Sequence, residues 1–455
     1  MHPLAALDHR YVWHPFTQMR DWLATEPIVI ESGKGAVLRD VHGREYLDAN
    51  SSIWTNLHGH QHPAINRAIE RQLRKIAHSS ALGFANEPAS LLAEKLCVAT
   101  RFPKVFFSDD GSTAMEVALK LAYEYARRVR GLKKPRFLSL NGAYHGDSIG
   151  AVSLGHIDLF HKRYSGLLFA TNRVMAPYCY RCPFNRAKPE RADARDYRKC
   201  NWECTGQVAQ AFERQAKKSP FAGFVVEPLI QGAAGMIPQP AGWLRDVAEI
   251  ARSNGAQLIA DEVMTGFKRA SSHLLGSHAE AVQPDFAALA KGLTGGYLPM
   301  AATLTTKEVF NAFLGEYSEF KTFFHGHSFT ANQLGASAAL SSLKLLENDK
   351  GRGSLEKWMR EEAKELWTCE NIGDIRQVGV AMGIELVRDW RTRQSYKLAE
   401  RAGGRVCEAM ARRGVLTRSI GNVIVVMPPF CATRGQVRLI FWALKESIGE
   451  VLGGA

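Results

Sequence analysis

The chain has 455 residues, 46% of them hydrophobic and 23% charged, a composition that excludes disorder, collagen-like repeats and coiled coil. The formal net charge is +13, but the basic runs at 127–136 and 181–199 carry no aromatic ladder or nucleic-acid motif. They read as solvated faces, with no nucleic-acid partner expected. No stretch approaches the roughly 20 apolar residues of a membrane helix, and Asp8, His9, Arg10, Arg20 and Asp21 interrupt any signal-peptide run, so a soluble, unexported, cytoplasmic protein is predicted.

In chain order, 28–49 reads as short strands broken by Gly33, Gly35 and the His42-Gly43 turn. From 102 to 302 short apolar runs alternate with helical patterns. Strands are predicted at 104–107, 136–140, 221–226 and 257–260, and helices at 112–128 and 243–253. The first helix has Val117, Ala118, Leu121, Ala122 and Tyr125 on one face. That alternation predicts an α/β fold with a doubly wound, largely parallel sheet. After Gly335 long helices precede strands at 379–386 and 423–427, the pattern of a smaller C-terminal α/β domain.

Four of the eight cysteines stand alone, at Cys97, Cys369, Cys407 and Cys431. The others form Cys179-x2-Cys182 and Cys200-x3-Cys204. This spacing fits a structural zinc ion held by four thiolates, and fits reduced, unligated thiols equally well, with disulfides the third reading that a reducing cytosol disfavours. Either way the polar segment at about 178–205, with Pro183 and Pro189, reads as a surface insertion.

Three places carry chemistry. Gly111-Ser112-Thr113 opens a helix after a strand, where free N–H groups and the helix dipole favour a phosphate, or where Ser and Thr simply cap the helix. Asp261 ends the apolar run Leu258-Ile259-Ala260 at the edge of an open α/β sheet where ligands collect. Lys291 leaves an apolar segment into Gly292-Leu293-Thr294-Gly295-Gly296, and burial there would free its amine to attack an aldehyde. An aldehyde, a ring nitrogen and a phosphate are together the groups of pyridoxal 5′-phosphate. Tyr144, in Asn141-Gly142-Ala143-Tyr144-His145-Gly146-Asp147, is placed to stack on such a ring.

With these motifs the chain resembles the class III, fold type I pyridoxal-phosphate aminotransferases over nearly its whole length. Trp13-His14-Pro15-Phe16-Thr17-Gln18-Met19 and Ser51-Ser52-Ile53-Trp54 bring it nearest to their biotin-synthesis branch, the adenosylmethionine-8-amino-7-oxononanoate aminotransferases. Glu227-Pro228-Leu229-Ile230-Gln231-Gly232 marks the wider superfamily.

The resemblance implies a large cofactor domain at 61–335 with a mostly parallel sheet between helices. A smaller domain is implied from 1–60 and 336–455. It makes Lys291 the Schiff-base lysine and acid/base catalyst, Asp261 the pyridine-nitrogen partner and Tyr144 the stacking aromatic. Gly111, Ser112 and Thr113 would hold the phosphate together with Gly326 and Ser328 of a second subunit, in a homodimer with shared sites. Arg418 would grip the substrate carboxylate, and Trp54, Phe16, Ile53, Tyr144, Asp147, Lys291 and Gly326 would face substrate.

Phe16 stands where the best-known adenosylmethionine-using pattern has tyrosine, and Ile53 where it has the first of two tryptophans. The expected donor is therefore S-adenosylmethionine or lysine, converting 8-amino-7-oxononanoate to 7,8-diaminononanoate. The alternative is another class III aminotransferase acting on ω-amino acids or diamines.

Overall fold

The computed structural model describes residues 1–216, 218–349 and 351–453. Its centre is a seven-stranded sheet in the spatial order Lys104–Ser108, Ala301–Thr305, Phe286–Leu289, Gln257–Asp261, Phe221–Val226, Arg136–Leu140, Asn172–Val174. The last five of these strands pair in parallel, while Ala301–Thr305 runs antiparallel to both of its neighbours.

Both faces of this sheet are covered, which is why its strands read as unbroken apolar runs. Phe137, Val225, Ile259 and Phe286 pack on one face with Ala114, Val117, Ala118 and Leu121 of the helix Gly111–Arg128. Their chain neighbours Leu138, Phe224, Val226 and Leu258 point the other way. They meet Trp243, Leu244 and Val247 of the helix Trp243–Ser253 and Val208 and Phe212 of the helix Glu203–Ala216.

A second sheet joins Ile372–Val378, Ala381–Asp389, Val423–Val426 and Ser419–Ile420, all antiparallel. A third is built from both ends of the chain. Ile30–Lys34, Val37–Asp40 and Glu45–Asp48 form an antiparallel meander, and Val415–Leu416 adds in parallel with Val415 opposite Leu47. The helix Gln333–Glu347 leads out of the central part, and Arg434–Leu452 closes the chain under a Thr433/Gln436 capping box.

The cysteine-rich segment differs from the surface insertion that its polarity suggests. Tyr180 and Ala194 are each 1% exposed, and its arginines are tied to the second sheet. Arg181 Nη2 lies 2.6 Å from Glu385 Oε1, Arg191 donates to the Cys369 carbonyl, and Arg195 donates to that of Gln377. Behind them Arg376 is fully buried, 3.0 Å from Asp374 and 2.7 Å from Glu385. The expectation of a solvated basic face at 181–199 thus fails for Arg181, Arg191 and Arg195. Glu385 and Glu370, the acids that pair with Arg181 and Arg191, lie some 180 to 200 positions away in sequence, where no local pattern shows them, while Arg195 pairs with nearby Asp193.

The structure gives the zinc expectation no support. Cys179, Cys182, Cys200 and Cys204 do line one small cavity, of about 20 Å³, with Trp202, Pro177 and Pro240. Among the described residues, however, no three His, Cys, Asp or Glu side chains are arranged to hold a metal ion. Burial pushes the Cys179 thiol up to about 12 and the Cys204 thiol up to about 11, so both stay protonated near neutrality.

Candidate active site

A cavity of about 660 Å³ opens where the central strands end, lined by Gly111, Ser112, Thr113, Tyr144, Asp147, Glu227, Asp261, Lys291 and Trp54 among others. Several residues separated by more than 200 positions meet there.

Gly111, Ser112 and Thr113 form the first turn of Gly111–Arg128. Asp110 is the cap: its carboxylate accepts the Thr113 N–H at 2.8 Å, and Thr113 Oγ1 accepts the Asp110 N–H at 2.9 Å. The two meanings of this motif therefore coexist, because capping uses Thr113 while the turn still faces the cavity. Gly111 also fits closely, since a Cβ there would stand 2.7 Å from Val263 Cγ1. Ser112 Oγ is 2.6 Å from Ser148 Oγ and accepts the Ser148 N–H. Glu116 binds the same serine and the N–H groups of Gly150 and Ala151, locking the loop that follows Tyr144 onto this helix.

Asp261 is the last residue of its strand and 5% exposed. One carboxylate oxygen lies 2.7 Å from Nδ1 of His145, and the other accepts the Val263 N–H. An ionised carboxylate only accepts, so His145 carries its proton on Nδ1.

Lys291 sits at φ 42, a left-handed backbone unusual for a non-glycine residue. It holds its Nζ 4.7 Å from the centre of the Trp54 ring. Burial is the main cause that pulls its ammonium down to about 8; Arg269 pulls the same way, while Asp261 and Glu227 oppose it. A useful fraction of neutral amine is therefore present near neutrality. Trp54 is fixed in turn by its indole N–H, which donates to Asn50 at 2.8 Å.

Tyr144 donates its hydroxyl to Asp147 at 2.7 Å, and burial raises its pKa well above the usual phenol range. Arg418, in the turn between Val415–Leu416 and Ser419–Ile420, is the cation that opposes this rise. Phe16, Ile53, Gly326, Ser328 and Arg418 do not line the cavity itself. Phe16 is 59% exposed and Ile53 39% exposed. Gly326 has open space around its Cα, and the Ser328 carbonyl accepts from His78.

Two residues had no role assigned from sequence although they stand inside quoted motifs. One is His145, the partner of Asp261. The other is Glu227, which lines the cavity, accepts the Gly232 N–H at 2.7 Å, and is pushed by burial up to about 7. Both directly adjoin residues that the motifs singled out, but only the fold shows which way they face.

The donor set fits pyridoxal phosphate: an amine of lowered basicity, a buried carboxylate held by hydrogen bonds, an aromatic wall, and a helix N-terminus tight against its neighbours. Comparison with known proteins agrees. The family model for class-III aminotransferases matches residues 20–448. The adenosylmethionine-8-amino-7-oxononanoate aminotransferase of Geobacter sulfurreducens is 45% identical over 98% of this chain and 97% of its own. The crystal structure of the enzyme of that name from Methanocaldococcus jannaschii superposes with TM-score 0.90 at 39% identity, covering 98% of this chain and 99% of the other. An amine transaminase from an uncultivated Pseudomonas species, solved in its PLP-bound form, superposes with TM-score 0.87 at 30% identity, covering 97% and 98%. With Lys291, Asp261 and the first turn of Gly111–Arg128 gathered on one cavity, the chain belongs to the class-III aminotransferases and is a pyridoxal-phosphate-dependent enzyme.

Proposed function

We propose that the enzyme transfers an amino group to 8-amino-7-oxononanoate, giving 7,8-diaminononanoate, with S-adenosylmethionine or lysine as donor. The observation that carries this is the convergence of Lys291, Asp261 and Tyr144 on one cavity in a chain whose relatives bear that activity in their names.

Bound pyridoxal phosphate supplies an electron sink for the carbanion left when an amine loses its α-proton. Asp261, oriented by His145 and the Val263 N–H, would meet the cofactor's ring nitrogen as a fixed negative charge. Lys291 would hold the cofactor covalently through its amine and, once freed, carry the proton removed from the substrate carbon, work that suits a group titrating at about 8. Tyr144, its hydroxyl held by Asp147, would cover one side of the ring, and the first turn of Gly111–Arg128 would receive the phosphate. Arg418 takes the substrate carboxylate and Trp54 walls the channel. Phe16, Ile53 and Asp147 border the substrate.

We further infer a cytoplasmic homodimer in which Gly326 and Ser328 complete the phosphate site of a second copy. The flanking Phe324 and Phe329 are 72% and 61% exposed, and a partner surface would cover them. Eight free cysteines suit a reducing compartment. No described helix is long and apolar enough to cross a membrane. The large domain would then run 61–335 and the small one combine 1–60 with 336–455, an arrangement supported by the pairing of Val415 with Leu47.

The test is product formation by purified holoenzyme given 8-amino-7-oxononanoate and either donor carrying an isotope-labelled amino nitrogen. The label is expected in 7,8-diaminononanoate. Unlabelled or absent product would overturn the proposal.

A further inference from the structure

Phe160 lies on the short helix Asp158–His161, which the sequence pattern leaves unmarked. Its ring centre is 5.2 Å from that of Phe16, edge to face at 66°, and 6.5 Å from that of Tyr144 at 84°. Three rings thus run without interruption from the cavity wall at Tyr144, through Phe160, to exposed Phe16.

The turn that carries Phe160 is held from beneath. His161 is buried, its Nδ1 accepts the Ile157 N–H at 3.2 Å, and its ring lies 6.2 Å from Tyr144 at 13°. That ring also fills the space in which a side chain on Gly155 would sit. Phe160 is therefore placed by its neighbours rather than by its own burial.

Along this wall the only hydroxyl, that of Tyr144, is already engaged by Asp147. The rings have faces and edges to offer a ligand and no free hydrogen-bonding group. Such a surface attracts a positive charge carried on an alkyl chain, which needs no hydrogen bond to be held.

We propose that Phe160 is a specificity-determining residue that, with Phe16, clamps the cationic side chain of the amino donor. The inference rests on the donor half-reaction proposed above. Its ligand chemistry is an α-amino acid with a second, positively charged group on an aliphatic arm. A sulfonium and a primary ammonium both satisfy it.

The experiment uses yellow holoenzyme, wild type and Phe160→Leu, a change that keeps apolar bulk but removes the ring. S-adenosylmethionine and lysine are each compared with an uncharged counterpart, S-adenosylhomocysteine and norleucine. Each is measured as donor by loss of cofactor colour, or as competitive inhibitor where it does not react. For the cation that wild type uses, Phe160→Leu is expected to raise the half-saturating concentration about tenfold. The neutral counterpart should change less than about twofold, with cofactor colour and stoichiometry unaltered. Phe16→Leu should show the same selective loss. Equal losses for charged and neutral compounds, or no loss for either, would overturn the clamp while leaving the transamination standing. A wild-type enzyme that consumes neither donor would overturn both.

Discussion

Nδ1 of His145 stands 2.7 Å from Oδ2 of Asp261, with both side chains buried. Two motif positions 116 residues apart thereby make one unit: the histidine sets the direction of the carboxylate proposed to face the cofactor. Hydrogen bonds to a charged group contribute about 1.5–3 kcal/mol. His145→Ala is therefore expected to slow the donor half-reaction about 10–100-fold while cofactor binding persists. Stopped-flow absorbance measures this, and an unchanged half-reaction would deny His145 a positioning role.

Lys291 does both covalent and proton-transfer work in this account. Its replacement in Lys291→Ala should reduce turnover by more than about 10⁴-fold, beyond the range of general acid–base catalysis alone. Asp261→Asn should keep part of the cofactor affinity and lose the electron sink. Steady-state and single-turnover rates separate the two effects, and near-normal turnover of the lysine variant would remove it from the mechanism.

The lowered basicity of Lys291 has a pH signature. The neutral amine is the reactive form, and burial brings its titration down to about 8. Capture of added pyridoxal phosphate by the cofactor-free enzyme should therefore accelerate as pH rises toward 8 and level off above it. A rate that keeps rising to about pH 10.4, the ordinary lysine value, would show an unshifted amine.

Much of this architecture is legible in the chain. Buried strands at 136–140 and 221–226 and the helix at 243–253 are found at the predicted bounds, because a strand covered on both faces leaves an unbroken apolar run. Ala301–Thr305 was not marked as a strand and is the one that runs antiparallel. Its small residues, Ala301 and Ala302 with Thr303, resemble a loop as much as a strand. Lys291 and Asp261 stand out because a polar residue ends an apolar run. Glu227 and His145 do not, since their importance lies in which way they face. The basic segment at 181–199 misleads most, because Glu385, which pairs with Arg181, and Asp374, which accepts the Ala194 N–H, lie on strands far along the chain.

Those partners give a stability prediction. Arg376 is buried between Asp374, Glu385 and the Gly235 and Met236 carbonyls. Removing Arg376 leaves Asp374 without its cation and Glu385 with Arg181 alone, at a cost of about 3–5 kcal/mol. Arg376→Met should lower the denaturant midpoint accordingly, and a variant as stable as wild type would show that solvent or a rearrangement satisfies the acids.

Arg418 lies close enough to Tyr144 to influence its hydroxyl. A guanidinium fork on a carboxylate is a strong, directional contact. Arg418→Ala is expected to raise the KM for 8-amino-7-oxononanoate about 10–100-fold, with a smaller change in kcat. An unaltered KM would mean that the carboxylate is held elsewhere.

The most direct test of the central claim is a half-reaction in two steps. Yellow holoenzyme is bleached with S-adenosylmethionine or with lysine, freed of excess donor, and then given 8-amino-7-oxononanoate. Colour is expected to return in step with stoichiometric 7,8-diaminononanoate after at least one donor. Bleached enzyme that regains its colour with other keto compounds but not with 8-amino-7-oxononanoate would contradict it.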